Sequence, residues 1–171
     1  MHTKKIGLLA AAAIAASSAA TPAFAVSDNV PFFGSVGGLV CALSPAFPGR
    51  LDTAPGDLTV LSSQRGSGSA GTITITSVGT DFKLTVEAPT DWTADPSDFG
   101  GTAPPPTVFT TTYTGTGDTT LTGSNIGGSV PTEHPLNNGQ TSLTVNLEGD
   151  ADSNDFTAGL YRADVLVTCE I

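Results

Sequence analysis

The sequence predicts an all-β protein, an antiparallel β-sandwich of seven to eight strands closed by one disulfide between Cys41 and Cys169. Three observations carry this expectation. Apolar residues recur at every second position in several short segments, which is the period of a half-buried strand and not of a helix. The chain is rich in Thr, Ser, Gly, Val and Pro and poor in Lys, Glu and Met, so few segments can sustain a helical apolar stripe. Its two cysteines both fall on the apolar phase of their segments, near the start and the end of the folded part.

The first 25 residues stand apart from that pattern. Lys4 and Lys5 precede an apolar run over residues 6–16, and Ala23-Phe24-Ala25 places small residues where signal peptidase reads them. The run is too short to cross a hydrocarbon layer of about 30 Å, which needs roughly 20 apolar residues as a helix. No later stretch comes close. The expectation is a signal peptide over residues 1–25, removed on export, then a single β-sandwich domain over residues 26–171. That length is enough to bury a core. The predicted address is the periplasm, the cell surface or the medium, with no membrane insertion.

Each strand can be justified in turn. Residues 33–43 put Leu39, Cys41 and Leu43 on one face. Residues 57–62 alternate Leu58 and Val60 with Thr59 and Leu61. Residues 71–78 alternate Ile73 and Ile75 with threonines, and residues 81–87 place Phe82, Leu84 and Val86 opposite Lys83, Thr85 and Glu87. Residues 88–106 read as a loop, with five prolines and a Gly-Gly pair. Strand character returns at 107–114, with a short edge piece at 119–123. It breaks over 127–139, which ends in the turn signal Asn138-Gly139. Residues 141–148 put Leu143, Val145 and Leu147 on one face. Residues 160–171 close the chain with Tyr161, Ala163, Val165, Val167, Cys169 and Ile171 pointing one way.

Charge narrows the partners. Beyond residue 25 there are 16 acidic residues against four basic ones, Arg50, Arg65, Lys83 and Arg162, a formal charge of about −12. Such a field repels nucleic acid and anionic lipid, so neither is an expected partner. Two cysteines in an exported chain are read as a structural pair, because redox chemistry would favour a close C-x-x-C. A bridge spanning almost the whole domain would stabilise it by about 5 kcal/mol.

Candidate chemistry is sparse, and no enzyme is expected. His134 lies in a loop between Glu133 and Pro135, and there is no Gly-x-Ser-x-Gly elbow. Gly66-Ser67-Gly68-Ser69-Ala70-Gly71 matches a dinucleotide fingerprint in spelling, but a strand and not a helix follows it. Asp150, Asp152 and Asn154 offer oxygen ligands at alternate positions, an arrangement that can wrap Ca²⁺; the other reading is an acidic turn. No other cofactor is implied. Trp92 stands beside Asp91 and Asp95, a grouping that would stack on and bind a glycan, or else Trp92 caps the core. Asp91, Asp95 and Asp98 together would also serve paired-carboxylate glycosidase chemistry.

Three stretches resemble secreted bacterial sandwich domains of the spore-coat-U and pilin-like type. They are residues 36–43 around Cys41, residues 70–76 leading into 81–86, and Phe156-Thr157-Ala158-Gly159-Leu160-Tyr161-Arg162-Ala163-Asp164-Val165-Leu166-Val167-Thr168. The resemblance implies an immunoglobulin-like or pilin-like sandwich and a structural role at the envelope or surface. It also implies assembly with further copies or related envelope subunits by strand exchange. In that group the early cysteine pairs into the middle hairpin, near Ser77 here, whereas this chain carries its second cysteine at Cys169. Such subunits pass an extended N-terminal segment into a neighbour's sheet edge. Val30, Phe32, Phe33 and Val36 are the candidate donor residues, unless 33–43 is simply the first strand of its own domain. The leading expectation is therefore a non-catalytic envelope or surface structural protein, a pilin-like or coat subunit; the alternative is a secreted module binding glycan or calcium.

Overall fold

A computed structural model describes residues 39–44 and 46–171. The described residues form ten strands, paired antiparallel throughout, and one turn of 3-10 helix. In chain order the strands are β1 Val40–Leu43, β2 Asp52–Ala54, β3 Asp57–Ser62, β4 Gly71–Val78 and β5 Lys83–Glu87. The 3-10 turn Pro96–Phe99 follows, then β6 Val108–Gly117, β7 Leu121–Ile126, β8 His134–Pro135, β9 Gly139–Asp150 and β10 Leu166–Glu170. Two strands exceed the seven to eight expected. They are β2 and β8, three and two residues long, too short to leave a period-two signature.

The long strand β9 organises the larger sheet. Along one edge it pairs with β6 from Thr141 to Asp150. Along the other it pairs first with β4, over Gly139 to Val145, and then with β3, over Glu148 to Asp150. Beyond these lie β7 on β6, β1 on β4 and β2 on β3. The smaller sheet has the order β10-β5-β8.

Alternation decides what each face does. Leu143, Val145 and Leu147 of β9 point inward with Phe109, Thr111 and Tyr113 of β6, while the even-numbered neighbours face out. The main core packs Ile75, Tyr113, Leu121 and Leu143 of the larger sheet against Phe82, Leu84, Val86 and Leu136 of the smaller. This is a sandwich. A second cluster of Trp92, Phe109, Leu147, Ala151 and Phe156 fills one end. Polar ties cross the layers, among them the buried Asn125 amide, which donates to the Val86 carbonyl.

Cys41 and Cys169 are bonded, with Cα atoms 6.3 Å apart and 128 positions of chain between them. The bridge joins β1, an outer strand of the larger sheet, to β10, an outer strand of the smaller. The expected last strand is shorter than its pattern: only Leu166–Glu170 is laddered. Tyr161, Ala163 and Val165 nevertheless keep the inward phase and pack on the core. Of the expected first strand, Val40–Leu43 is laddered as β1 and Leu39 is exposed, while residues 33–38 lie outside the described residues.

Candidate functional site

Trp92 is a core residue, which corrects the glycan-binding expectation. It is 9 % exposed. Its ring meets Phe109, Phe156 and Tyr161 edge-on at centroid distances of 4.8, 5.7 and 5.0 Å. The indole N–H donates to Thr107 Oγ1 at 3.2 Å. A sugar needs an open aromatic face, and these neighbours occupy it. The flanking carboxylates are engaged locally. Asp91 accepts from the Trp92 N–H at 2.8 Å. Asp95 caps the 3-10 turn by accepting from the Ser97 N–H at 2.7 Å, and Asp98 accepts from the Asp95 N–H at 3.0 Å. The acids are close in sequence because a turn needs caps.

The run 150–155 is likewise a turn. Asp150 accepts from the Asp152 N–H at 2.8 Å, and Asp152 takes a left-handed φ of 59°. The Asn154 side-chain amide donates to the Ala151 carbonyl at 3.3 Å, and its backbone N–H to the same oxygen at 3.1 Å. Among the described residues no three His, Cys, Asp or Glu side chains are grouped to hold a metal ion. One oxygen of Asp150 and the side-chain amide of Asn154 thus take part in the turn itself.

Two further sequence features resolve into packing. His134 Nε2 lies 2.9 Å from the hydroxyl of Tyr113, which is 2 % exposed. Burial pushes that phenol above its ordinary pKa. The glycine-rich run 66–71 connects β3 to β4 and is held by Asp52, which accepts from the Ser67 hydroxyl and N–H, each at 2.7 Å. With the Thr53 N–H adding a third bond at 2.8 Å, the Asp52 carboxyl is drawn down to about 2. Among the described residues no helix is long and apolar enough to cross a membrane.

What no motif announced is a groove of about 1020 Å³ along the side of the sandwich. Below it, the disulfide holds β1 to β10. Residues 46–51, which follow β1, and residues 159–167, which lead into and begin β10, line the groove. Bonds of Phe47 to Thr72 and of Arg50 to Ser69 keep the first segment beside β4. Ile73, Leu61, Val145 and Leu147, side chains that belong to the cores, line the opening. Phe47, Leu160 and Leu166 stand at its rim, 75 %, 63 % and 57 % exposed.

The wall at 159–165 is an extended chain bonded along one edge. Arg162 exchanges backbone bonds with Ala94 at 2.8 and 3.2 Å. Backbone groups alternate in direction along an extended chain, so those of Tyr161 and Ala163 point away from Ala94. Among the described residues neither takes a backbone hydrogen bond. An apolar opening beside unpaired extended backbone is suited to receive another extended chain, whose backbone supplies the missing bonds.

The candidate donor residues Val30, Phe32, Phe33 and Val36 lie outside the described residues. The groove residues were visible in the sequence only as ordinary strand positions; the single hint was apolar alternation at 160–165 continuing past the point where pairing stops. Comparison of the chain with protein-family models, curated proteins and solved structures finds no match.

Proposed function

We propose that this chain is a non-catalytic secreted structural protein of the bacterial-type envelope or surface, a pilin-like or coat-type subunit that assembles by taking an extended segment into its side groove. One observation supports the reading: core side chains line an opening beside which Tyr161 and Ala163 take no backbone hydrogen bond among the described residues. Leaving the apolar lining exposed is costly. Apolar surface contributes about 25 cal/mol per Å² when removed from water, and unpaired backbone groups need partners once buried. A strand seated beside residues 159–165 would satisfy both, as strand addition does in protein recognition. The signal-peptide-like pattern of residues 1–25 and the disulfide support an extracytoplasmic setting.

The test is assembly. The exported chain is expected to form multimers whose size grows from micromolar toward millimolar concentration in sedimentation velocity. Phe47→Asp with Leu166→Asp places two charges on the rim at exposed positions, where substitutions leave the fold intact. That variant is expected to stay monomeric with an unchanged circular dichroism spectrum. A wild-type chain that is monomeric at every concentration, or a rim variant that assembles as wild type does, overturns the proposal.

A further inference from the structure

We infer that β7 is a self-recognition edge through which two assembled multimers of this chain lie side by side, β7 against β7. Such pairing rests on the assembly proposed above and adds a second, different contact to it. An exposed strand edge invites another chain unless charge, proline, a bulge or brevity blunts it. Strand β2 is three residues long, carries Asp52 and shifts register against β3. Strand β8 is two residues long and contains Pro135. Strands β1 and β10 are four and five residues long and are bridged to each other by the disulfide. Strand β7 has none of these devices. It holds six residues, Leu-Thr-Gly-Ser-Asn-Ile, in unbroken register with β6, and among the described residues β6 is its only partner strand.

One bond fixes which backbone groups stay open. The Gly127 N–H donates to the Phe109 carbonyl at 2.9 Å, so the alternate residues Asn125, Gly123 and Leu121 also turn toward β6. Ile126, Ser124 and Thr122 turn outward. Ile126 is satisfied locally: its N–H donates to Ser129 Oγ at 3.2 Å, and its carbonyl accepts from the same hydroxyl at 2.6 Å. Thr122 and Ser124 are exposed, and among the described residues no strand lies beside their outward groups. In an antiparallel pair with a twofold axis at Gly123, Thr122 of one copy stands opposite Ser124 of the other and exchanges both backbone bonds with it. Their side chains meet as a cross-strand hydroxyl pair. Gly123 brings no side chain to the axis, and its inner side is taken by the Tyr113 ring.

Charge selects a second copy as the occupant. Beyond residue 25 there are 16 acidic residues against four basic ones, so copies repel over most of their surface. Between Asp98 and Glu133 the one charged residue is Asp118, whose carboxylate accepts from the Gln140 N–H at 2.7 Å. Glu87 of β5 follows Val86, whose carbonyl is tied to Asn125, but it alternates to the outer face of the smaller sheet. The β7 edge is therefore a side on which two acidic copies approach at low cost. A contact of two residues a side falls far below the roughly 1,000 Å² of a lasting interface, so single copies separate. Along a multimer the contact repeats, and repetition holds what one contact does not. Twofold symmetry closes it, so multimers join in pairs that run in opposite directions.

The experiment images multimers of the exported chain by electron microscopy and places a photo-crosslinking p-benzoylphenylalanine at position 122. Multimers assembled separately from ¹⁴N- and ¹⁵N-labelled protein are mixed before irradiation. Paired multimers and mixed-isotope crosslinks to residues 120–126 are the expected result. Ser124→Pro removes an outward donor without touching the β6 ladder, and Ser124→Asp adds charge to the edge. Each should give single multimers and at least tenfold fewer crosslinks at an unchanged circular dichroism spectrum. Ser142→Asp, on the exposed outer face of β9, should pair as wild type does; loss of pairing there means that multimers stack by their faces and overturns the inference. Single wild-type multimers, crosslinks to other surfaces, or Ser124→Asp multimers that still pair also overturn it and leave the proposed function standing. Absence of multimers overturns both.

Discussion

Removing the Cys41–Cys169 bridge, by reduction or by the double change Cys41→Ala and Cys169→Ala, is expected to cost this domain about 5 kcal/mol. The magnitude follows from the 128 positions between the two cysteines, since the entropy a crosslink removes from the unfolded chain grows with the logarithm of the loop. Its placement adds a structural reason. Strand β1 is four residues long and pairs with β4, while β10 pairs with β5, so β1 and β10 share no ladder and the sulfurs tie them across the side of the sandwich. A domain of this size is stable by about 5–15 kcal/mol in total, so the bridge supplies a third or more of it. In urea, with a slope of about 1–3 kcal/mol per M, the midpoint should fall by about 2–5 M, read from Trp92 fluorescence with and without reductant. Hydrogen exchange in the reduced protein should rise first in β1 and β10. A midpoint shift below about 0.5 M at unchanged slope would refute both the loop-entropy argument and the role of the bridge as the tie on this side.

Other expectations follow from the packing and the loops. Trp92→Ala should destabilise the fold by about 3–5 kcal/mol in chemical denaturation, and wild-type Trp92 emission should not respond to mono- or oligosaccharides; a saccharide-dependent change would restore the glycan reading. Gly123→Ala should cost about 1–3 kcal/mol, because the added Cβ meets the Tyr113 ring held between the sheets; a neutral result would mean the ring has room to move. For Asp52→Asn the sign follows from a folded carboxyl lowered to about 2 against about 3.9 unfolded. Its contribution is complete above about pH 4 and is lost as pH falls to 2. Melting temperatures of variant and wild type should thus differ at pH 7 and converge near pH 2, and a pH-independent difference would contradict the argument. Calcium at millimolar concentration should leave the melting temperature unchanged, because Asp150 and Asn154 are engaged by their own turn; a rise would support a cation site.

Much of the fold was legible because period-two alternation reports a face directly. Residues 57–62 and 71–78 form strands with those same bounds, and Leu84, Val86, Leu143 and Leu147 face inward as their spacing predicts. The disulfide was legible for the same reason, since two sulfurs on the apolar phase of early and late strands meet when those strands face each other. The candidate site was mostly illegible. Aspartates near a tryptophan look alike whether they bind a ligand or cap a turn, because both uses need exposed oxygen atoms close in sequence. Only the covering of Trp92 by Phe109, Phe156 and Tyr161 separates the two.

Local pattern, then, determined strand character, inward faces, the paired cysteines and the acidic surface, all properties of neighbouring residues. Tertiary structure alone decided that β9 would serve β4 and β3 in succession along one edge, that residues 160–165 would be extended yet bonded on one side, and that residues 46–51 and 159–167 would line a groove. The physical reason is that hydrogen-bond partners and open surface depend on which distant segments arrive beside a strand. Alternation along one strand carries no record of that.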